Sequence, residues 1–391
     1  MRPSSIHALT VLLVTAIAVP IHPQHLDCHA LMLHIPVAAN NYVLDIKKAT
    51  TDTELAEFVD ELDRWSAPKL TQRITGQVNV TASYSIYAQL CFPEREKDKH
   101  VMQILTHGGM FDHRYWDATI DRKQYSYVYA AVNAGYTVLN YDRLGNLFSA
   151  KSDPFDAVQG PTEIESPRWY SPGRIRPLLS SVRGYRTPSL RQSRTRRSQP
   201  RLADHKRLPS PIRPPILRSN PHRIHLPTQE WPRARCSLRP SPSRGFQPST
   251  LRVLSSRLLH DGLPKHPATL FLHRNNASDP TGSTDECLAY VQSIKAPIAS
   301  GAALETRGLL SGGVAKDFHG PIQHFLGEFD YLVCGGDCKG NYEDEKLVKI
   351  YPAASARETY IQPGAGHGLT LHRNASAGFG VTLDFLSRNG C

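Results

Sequence analysis

Apolar positions along this chain follow two rhythms, and a long central stretch follows neither. From Thr81 to Leu90, Tyr84, Ile86, Ala88 and Leu90 alternate with Ser83, Ser85 and Gln89, which predicts a half-buried strand. Behind Thr51-x-x-Glu54, a capping box, Leu55, Phe58, Val59 and Leu62 fall on one helical face. Val101 to Leu105 is a short apolar run ending at Thr106-His107-Gly108-Gly109, the form of a buried strand feeding a tight loop. Tyr125 to Asn133 predicts a helix with Gly135 as its stop, and Tyr136 to Tyr141 a second buried strand. Strand, loop, helix and strand in this order make a right-handed crossover unit of a parallel sheet. Farther on, Pro321 to Gly327 predicts a buried strand followed directly by Glu328-Phe329-Asp330, and about Ser376 to Arg388 a C-terminal helix.

The N-terminus has a different pattern. Arg2 precedes an apolar run from Leu9 to Val19, and Ala16-Ile17-Ala18 places small residues where a signal peptidase needs them. Residues 1–18 are therefore expected to be a secretory signal peptide; the run is too short to span a bilayer, so no stable membrane anchor is expected. Secretion permits disulfides and N-glycans. Sequons stand at Asn79, Asn276 and Asn374. Of the seven cysteines, Cys236 lies in the central stretch; the other six (Cys28, Cys91, Cys287, Cys334, Cys338, Cys391) could form three bridges. Cys334-x3-Cys338 has no second ligand pair nearby and reads as a local disulfide, so no metal is expected.

Charge then separates the central stretch from the rest. The 391-residue chain is net +11. Ser166 to Leu258 holds 20 Arg, one Lys, two acidic residues and 15 of the 30 prolines, which makes it +19 and leaves the remainder at −8. The bulk basicity is thus no property of the folded-looking parts, and no nucleic-acid partner is expected. The chain divides into residues 1–18, an N-terminal α/β half at 19–165, the basic low-complexity segment at 166–258 and a C-terminal half at 259–391. Pro161-Thr162-Glu163-Ile164-Glu165 looks like a helix start that stops within one turn at Ser166-Pro167. Asp279 to Ala299 matches neither lid helices nor core strands.

His107-Gly108-Gly109 after a strand, Asp112-His113-x-Tyr115-Trp116-Asp117 in the following loop and Tyr141-Asp142-Arg143-x-Gly145 after the next strand resemble the α/β-hydrolase fold, in its secreted, disulfide-containing branch. The resemblance covers roughly Asn79 to Glu165 and Pro297 to Cys391. It implies an α/β architecture, a mostly parallel sheet flanked by helices and here interrupted by a disordered Arg/Pro-rich segment. It implies no cofactor and a small-molecule ester-like substrate. The family places its triad acid at the last residue of a Gly-Glu-x-Asp run, which assigns that role to Asp330, with Asp337 as a weaker competitor. It holds its base in a short Gly-rich loop before a C-terminal helix, which assigns His367 in Pro363-Gly364-Ala365-Gly366-His367-Gly368. An imidazole with a pKa near 6.5 can take a proton from a nucleophile and return it to a leaving group, and an Asp on its other nitrogen fixes the tautomer. The resemblance gives the oxyanion-binding N–H to Gly109 or Met110, while His107 and His372 read as structural.

The nucleophile is missing. The family order is Ser, acid, His, with Ser in Gly-x-Ser-x-Gly on a strand-to-helix turn. No Gly-x-Ser-x-Gly occurs in the chain, and the interval where it belongs is the basic stretch. An Asp nucleophile at the same turn is equally absent. Two readings fit that stretch: a disordered Arg/Pro/Ser-rich insert able to bind polyanions, or a wrong-frame translation from a frameshift or retained intron. The second accounts together for the missing turn, the interrupted helix, the odd cysteine and the one-sided charge. The chain is accordingly expected to be an ester-type hydrolase that is inactive as written; the alternative is a non-enzymatic secreted binder that uses its basic segment.

Overall fold

A computed structural model describes residues 26–63, 72–168, 272, 282–305, 314–340 and 344–391. The signal peptide, Asn276, Cys236 and nearly all of the basic segment lie outside the described residues. No helix among the described residues is long and apolar enough to cross a membrane.

The strands are β1 (Asp27–Leu44), β2 (Ile74–Phe92), β3 (Met102–Thr106), β4 (Thr137–Tyr141), β5 (Ile322–Gly327) and β6 (Arg357–Gln362). The helices are α1 (Asp52–Asp63), α2 (Arg122–Tyr125), α3 (Tyr127–Asn133), α4 (Gly160–Arg168), α5 (Asp285–Ser293), α6 (Ser300–Glu305), α7 (Tyr331–Cys334), α8 (Asp344–Ile350) and α9 (Ala375–Arg388). One sheet has the order β1-β2-β4-β3 and a second pairs β5 with β6. The fold is α/β, but the sheet is mixed rather than mostly parallel: β1 runs antiparallel to β2 and β2 antiparallel to β4, while β3/β4 and β5/β6 are parallel.

The predicted alternation on β2 is real, with Tyr84, Ile86, Ala88 and Leu90 buried. They share one buried cluster with Leu33, Ile35, Val37 and Ala39 of β1, a strand with the same period that sits at the sheet edge, Ile35 opposite Tyr84 and Leu33 opposite Ile86. Period two also divides β3 and β4 between the faces. Leu105 and Val138 pack with Val128, Ala131, Val132, Phe379 and Phe385 on one side. Leu139 and Tyr141 pack with Val158 and Ala302 on the other. The parallel β3–α3–β4 unit is present as expected.

Two elements differ from expectation. The Tyr125–Asn133 helix is broken at Ser126, whose hydroxyl caps α3 by accepting from Tyr129 N (2.9 Å) and donates to Asp117 (2.7 Å). Ser126 takes the extended backbone of an N-cap (φ −97°, ψ 112°), which separates α2 from α3. The helix at Pro161 does not stop within a turn: α4 runs nine residues, through Pro167 to Arg168. It is docked first. Thr162 donates to Asn41 of β1 (3.0 Å), and Glu163 pairs with Arg143. Pro167 is the penultimate residue of the helix.

Cys28 and Cys91 are directly opposed in the β1/β2 register and form a disulfide. Cys334 and Cys338 form another, and Cys391 is also disulfide-bonded. Cys287 is a free buried thiol, so the six cysteines outside the basic stretch do not make three bridges among themselves.

Candidate active site

The site begins where β5 ends. Gly327 has no room for a side chain, since a Cβ there would lie 2.3 Å from the Gly366 carbonyl. That close approach lets two backbone bonds tie the strand end to the loop after β6: Glu328 N to Gln362 O (3.0 Å) and Phe329 N to Ala365 O (2.8 Å). Glu328 adds a third, its carboxylate accepting from Gly364 N (2.9 Å).

Asp330 follows as the N-cap of α7. One carboxylate oxygen accepts from Val333 N (2.9 Å); the other meets His367 Nδ1 at 2.9 Å. The Asp330 side chain is 3% exposed and that of His367 38%. A carboxylate can only accept, so Nδ1 carries the proton and the basic lone pair is on Nε2. The structure thus brings together two residues 37 positions apart in sequence. Asp337 is not in this pair: it is exposed, and its carboxylate accepts from Lys339 N (2.9 Å).

Two buried histidines pin the neighbouring loops. His372 accepts from Gly366 N at Nε2 (2.9 Å), and its Nδ1 lies 3.0 Å from Gly368 O, which brackets His367 from behind. His107 accepts from Arg143 N at Nε2 (3.0 Å), and its Nδ1 lies 2.8 Å from Gly108 O. A nitrogen that accepts a backbone N–H must be unprotonated, so both rings are neutral Nδ1–H tautomers. Burial, helped by the Arg143 charge, pushes the His107 pKa down to about 4.

Gly109 and Met110 lie in the loop between β3 and Tyr115. Gly109 sits against Ile298; Met110 has φ +64°, and its carbonyl accepts from Ala296 N (3.0 Å). The loop is fixed from β4. Asp142 accepts from both His113 N (2.9 Å) and His113 Nδ1 (2.7 Å), and Asn140 donates to His113 O (2.8 Å). Burial alone would raise the Asp142 pKa, but the bonds from His113 hold it below the usual carboxylate value. The two loops meet where Thr370 donates to Tyr115 O (3.1 Å). Burial pushes the Tyr115 phenol up to about 12, with the Asp330 charge adding to it.

Asp112, His113 and Asp142 present three potential ligand atoms within 4.8 Å of one another. Their atoms are already committed: Asp112 receives Arg114 through both oxygens, and Asp142 receives His113 and Phe148 N. The cluster therefore does not fit a metal without losing bonds that hold the loop.

The two described sequons are alike in committing both ends of the amide. Asn79, exposed on β2, donates to Asn40 Oδ1 (3.1 Å) and accepts from Thr81 (2.7 Å). Asn374 uses both ends of its amide, donating to Pro363 O (2.6 Å) and accepting from Gln362 (2.7 Å). Sequence reasoning missed Glu328, Thr370 and Asn140. Each acts through backbone groups that no residue pattern announces.

No protein-family model matches the chain, and no curated protein does. Among solved structures, a bromoperoxidase from Bacillus anthracis is 16% identical and aligns over 78% of this chain and 96% of its own, at a TM-score of 0.39. A thermophilic esterase from Thermogutta terrifontis is 12% identical over 79% and 95%, at 0.41. A novel bacterial esterase is 12% identical over 95% and 99%, at 0.40. Likeness at these scores carries no argument about activity.

Proposed function

We propose that this chain is a secreted α/β-hydrolase-like protein of the ester-hydrolysing type, holding an acid–base pair and an oxyanion loop but no nucleophile elbow. The reading rests on one observation: a buried Asp330 at the end of a parallel strand, 2.9 Å from Nδ1 of a partly exposed His367. In the intact form, His367 takes the proton of a serine and then returns it to the leaving alcohol, while Asp330 holds the tautomer and stabilises the imidazolium. Gly109 or Met110 supplies an N–H to the developing oxyanion. The substrate is a small ester-like molecule, and the reaction uses only these protein groups.

As written, the chain has no Gly-x-Ser-x-Gly to complete the set. Without a nucleophile only a residual enhancement of roughly 10³–10⁴-fold over water is expected, from binding and the oxyanion loop. The test is recombinant protein with p-nitrophenyl acetate and a fluorophosphonate probe. Slow turnover without burst or labelling is expected; a serine-inhibitor-sensitive burst would overturn the inactivity and locate the hidden Ser. Sequencing the mature message across the codons for Glu165 to His260 decides whether the basic stretch is encoded in frame.

A further inference from the structure

We propose that the Cys334–Cys338 disulfide is a positioning element for Asp330, and that reducing it releases the Asp330–His367 pair. This rests on the acid–base reading above but concerns the pair's geometry, not its turnover.

The argument starts from a weak helix. α7 is a single turn of four residues, and a first turn fixes about six dihedrals for one hydrogen bond. Nothing in it is buried: Tyr331 is exposed, and Leu332, Val333 and Cys334 are only partly covered. Burial therefore does not hold this turn in place. Yet Asp330 depends on it, because Val333 N orients the carboxylate that faces His367.

The anchor is on the other side of the bridge. Cys338 is 0% exposed, and its N–H donates to Glu328 O (2.9 Å), two residues before Asp330. Between the cysteines, Gly335 and Gly336 take φ of +69° and +103°, which reverses the chain so that Gly336 N returns to Asp330 O (3.1 Å). Cys334 N donates to the same carbonyl (3.0 Å). The disulfide thus hangs an otherwise unburied turn from a buried residue, and closes a ring of backbone bonds around the Asp330 carbonyl. Glu328, which this ring includes, also holds Gly364 in the His367 loop.

Reduction is a balanced exchange with an external dithiol. The reagent loses two electrons and two protons as it closes into its own disulfide; Cys334 and Cys338 gain them as two thiols. The turn then frays, Val333 N leaves the carboxylate, and Asp330 loses its fixed orientation toward Nδ1.

The readout is the His367 Nδ1–H proton in the NMR spectrum of the full chain, assigned by its loss in Asp330→Asn. In the oxidised protein we expect a low-field resonance protected from water exchange. In a Cys334→Ser/Cys338→Ser protein it should vanish, and the Val333 amide should exchange at least ~10-fold faster. A Cys28→Ser/Cys91→Ser protein, destabilised elsewhere, should keep the resonance, which separates positioning from general loss of stability. If the double variant does not fold, dithiothreitol titration of the wild type gives the same comparison, with the reduced bridge identified by alkylation at Cys334. Persistence of the resonance in folded protein lacking the bridge overturns the proposal. Absence of ester hydrolysis would not, since the resonance is read without turnover.

Discussion

Acidification should loosen the His107 staple, by an amount that can be worked out. His107 is 2% exposed and accepts a backbone N–H at Nε2, so the folded protein holds it neutral. Its pKa falls from 6.5 to about 4 on folding. The unfolded chain therefore binds the proton more readily, and stability must rise with pH between those two values. Above pH 6.5 the contribution is fully present; as pH falls toward 4 it is progressively lost, and below that it no longer changes. At 1.36 kcal/mol per pH unit the loss amounts to about 3 kcal/mol. The perturbation is His107→Phe, which removes the titration but leaves Arg143 N and Gly108 O without their partner, at a cost of about 1–3 kcal/mol near neutral pH. Urea unfolding of both proteins between about pH 7 and about pH 4 gives the difference in stability at each pH, and carboxylates common to both cancel. The wild-type advantage should shrink by about 3 kcal/mol across that window. Parallel curves would refute the reasoning, because they would mean that His107 titrates alike in the folded and unfolded states.

Removing the Cys28–Cys91 bridge, which closes 63 residues, should cost about 4 kcal/mol by loop entropy and lower the urea midpoint without touching the site. Ile86→Ala, in the best-buried part of the β1/β2 core, should cost about 2–5 kcal/mol in the same assay. When the chain is secreted from a eukaryotic host, Asn79→Gln should remove one glycan mass, since Asn79 is exposed on β2.

What could be read in advance follows from where the physics is local. Tyr84, Ile86, Ala88 and Leu90 announce β2 because one face is buried and the other is not. β1 carries the same signal in Leu33, Ile35, Val37 and Ala39, but Pro36 in its middle argues against a strand. The fold tolerates that proline because β1 is at the edge of the sheet. β6 (Arg-Glu-Thr-Tyr-Ile-Gln) has no alternation to find, since only Gln362 in it is buried. α5 was missed in the Asp279–Ala299 stretch, although the Thr284 hydroxyl accepts from Cys287 N (3.1 Å) and Cys287, Tyr290, Val291 and Ile294 make a buried stripe. Asp330 and His367 stood out through glycines and chain order. His372 was read as structural, but Glu328 did not stand out, because it acts on a backbone N–H brought close only by the β5–β6 pairing.

Among the described residues, the bonds around Asp330 and His367 come from the segment after β5 and the loop after β6. The bonds that orient the pair run from Gly327 to His372: Val333 N on Asp330, Gly364 N on Glu328 and His372 on Gly366 N. The loop after β3 is fixed by His107, Asn140 and Asp142, with Arg143 continuing to Glu163. The halves join through Thr370 on Tyr115 O and through α9, where Phe379 meets the Tyr127 ring at 5.4 Å and Cys391 O accepts from Tyr136. None of these contacts uses a residue between 169 and 271. The geometry of the Asp330–His367 pair can be measured without knowing the identity of the nucleophile. The first can be tested by spectroscopy on the protein as written, whatever the second proves to be.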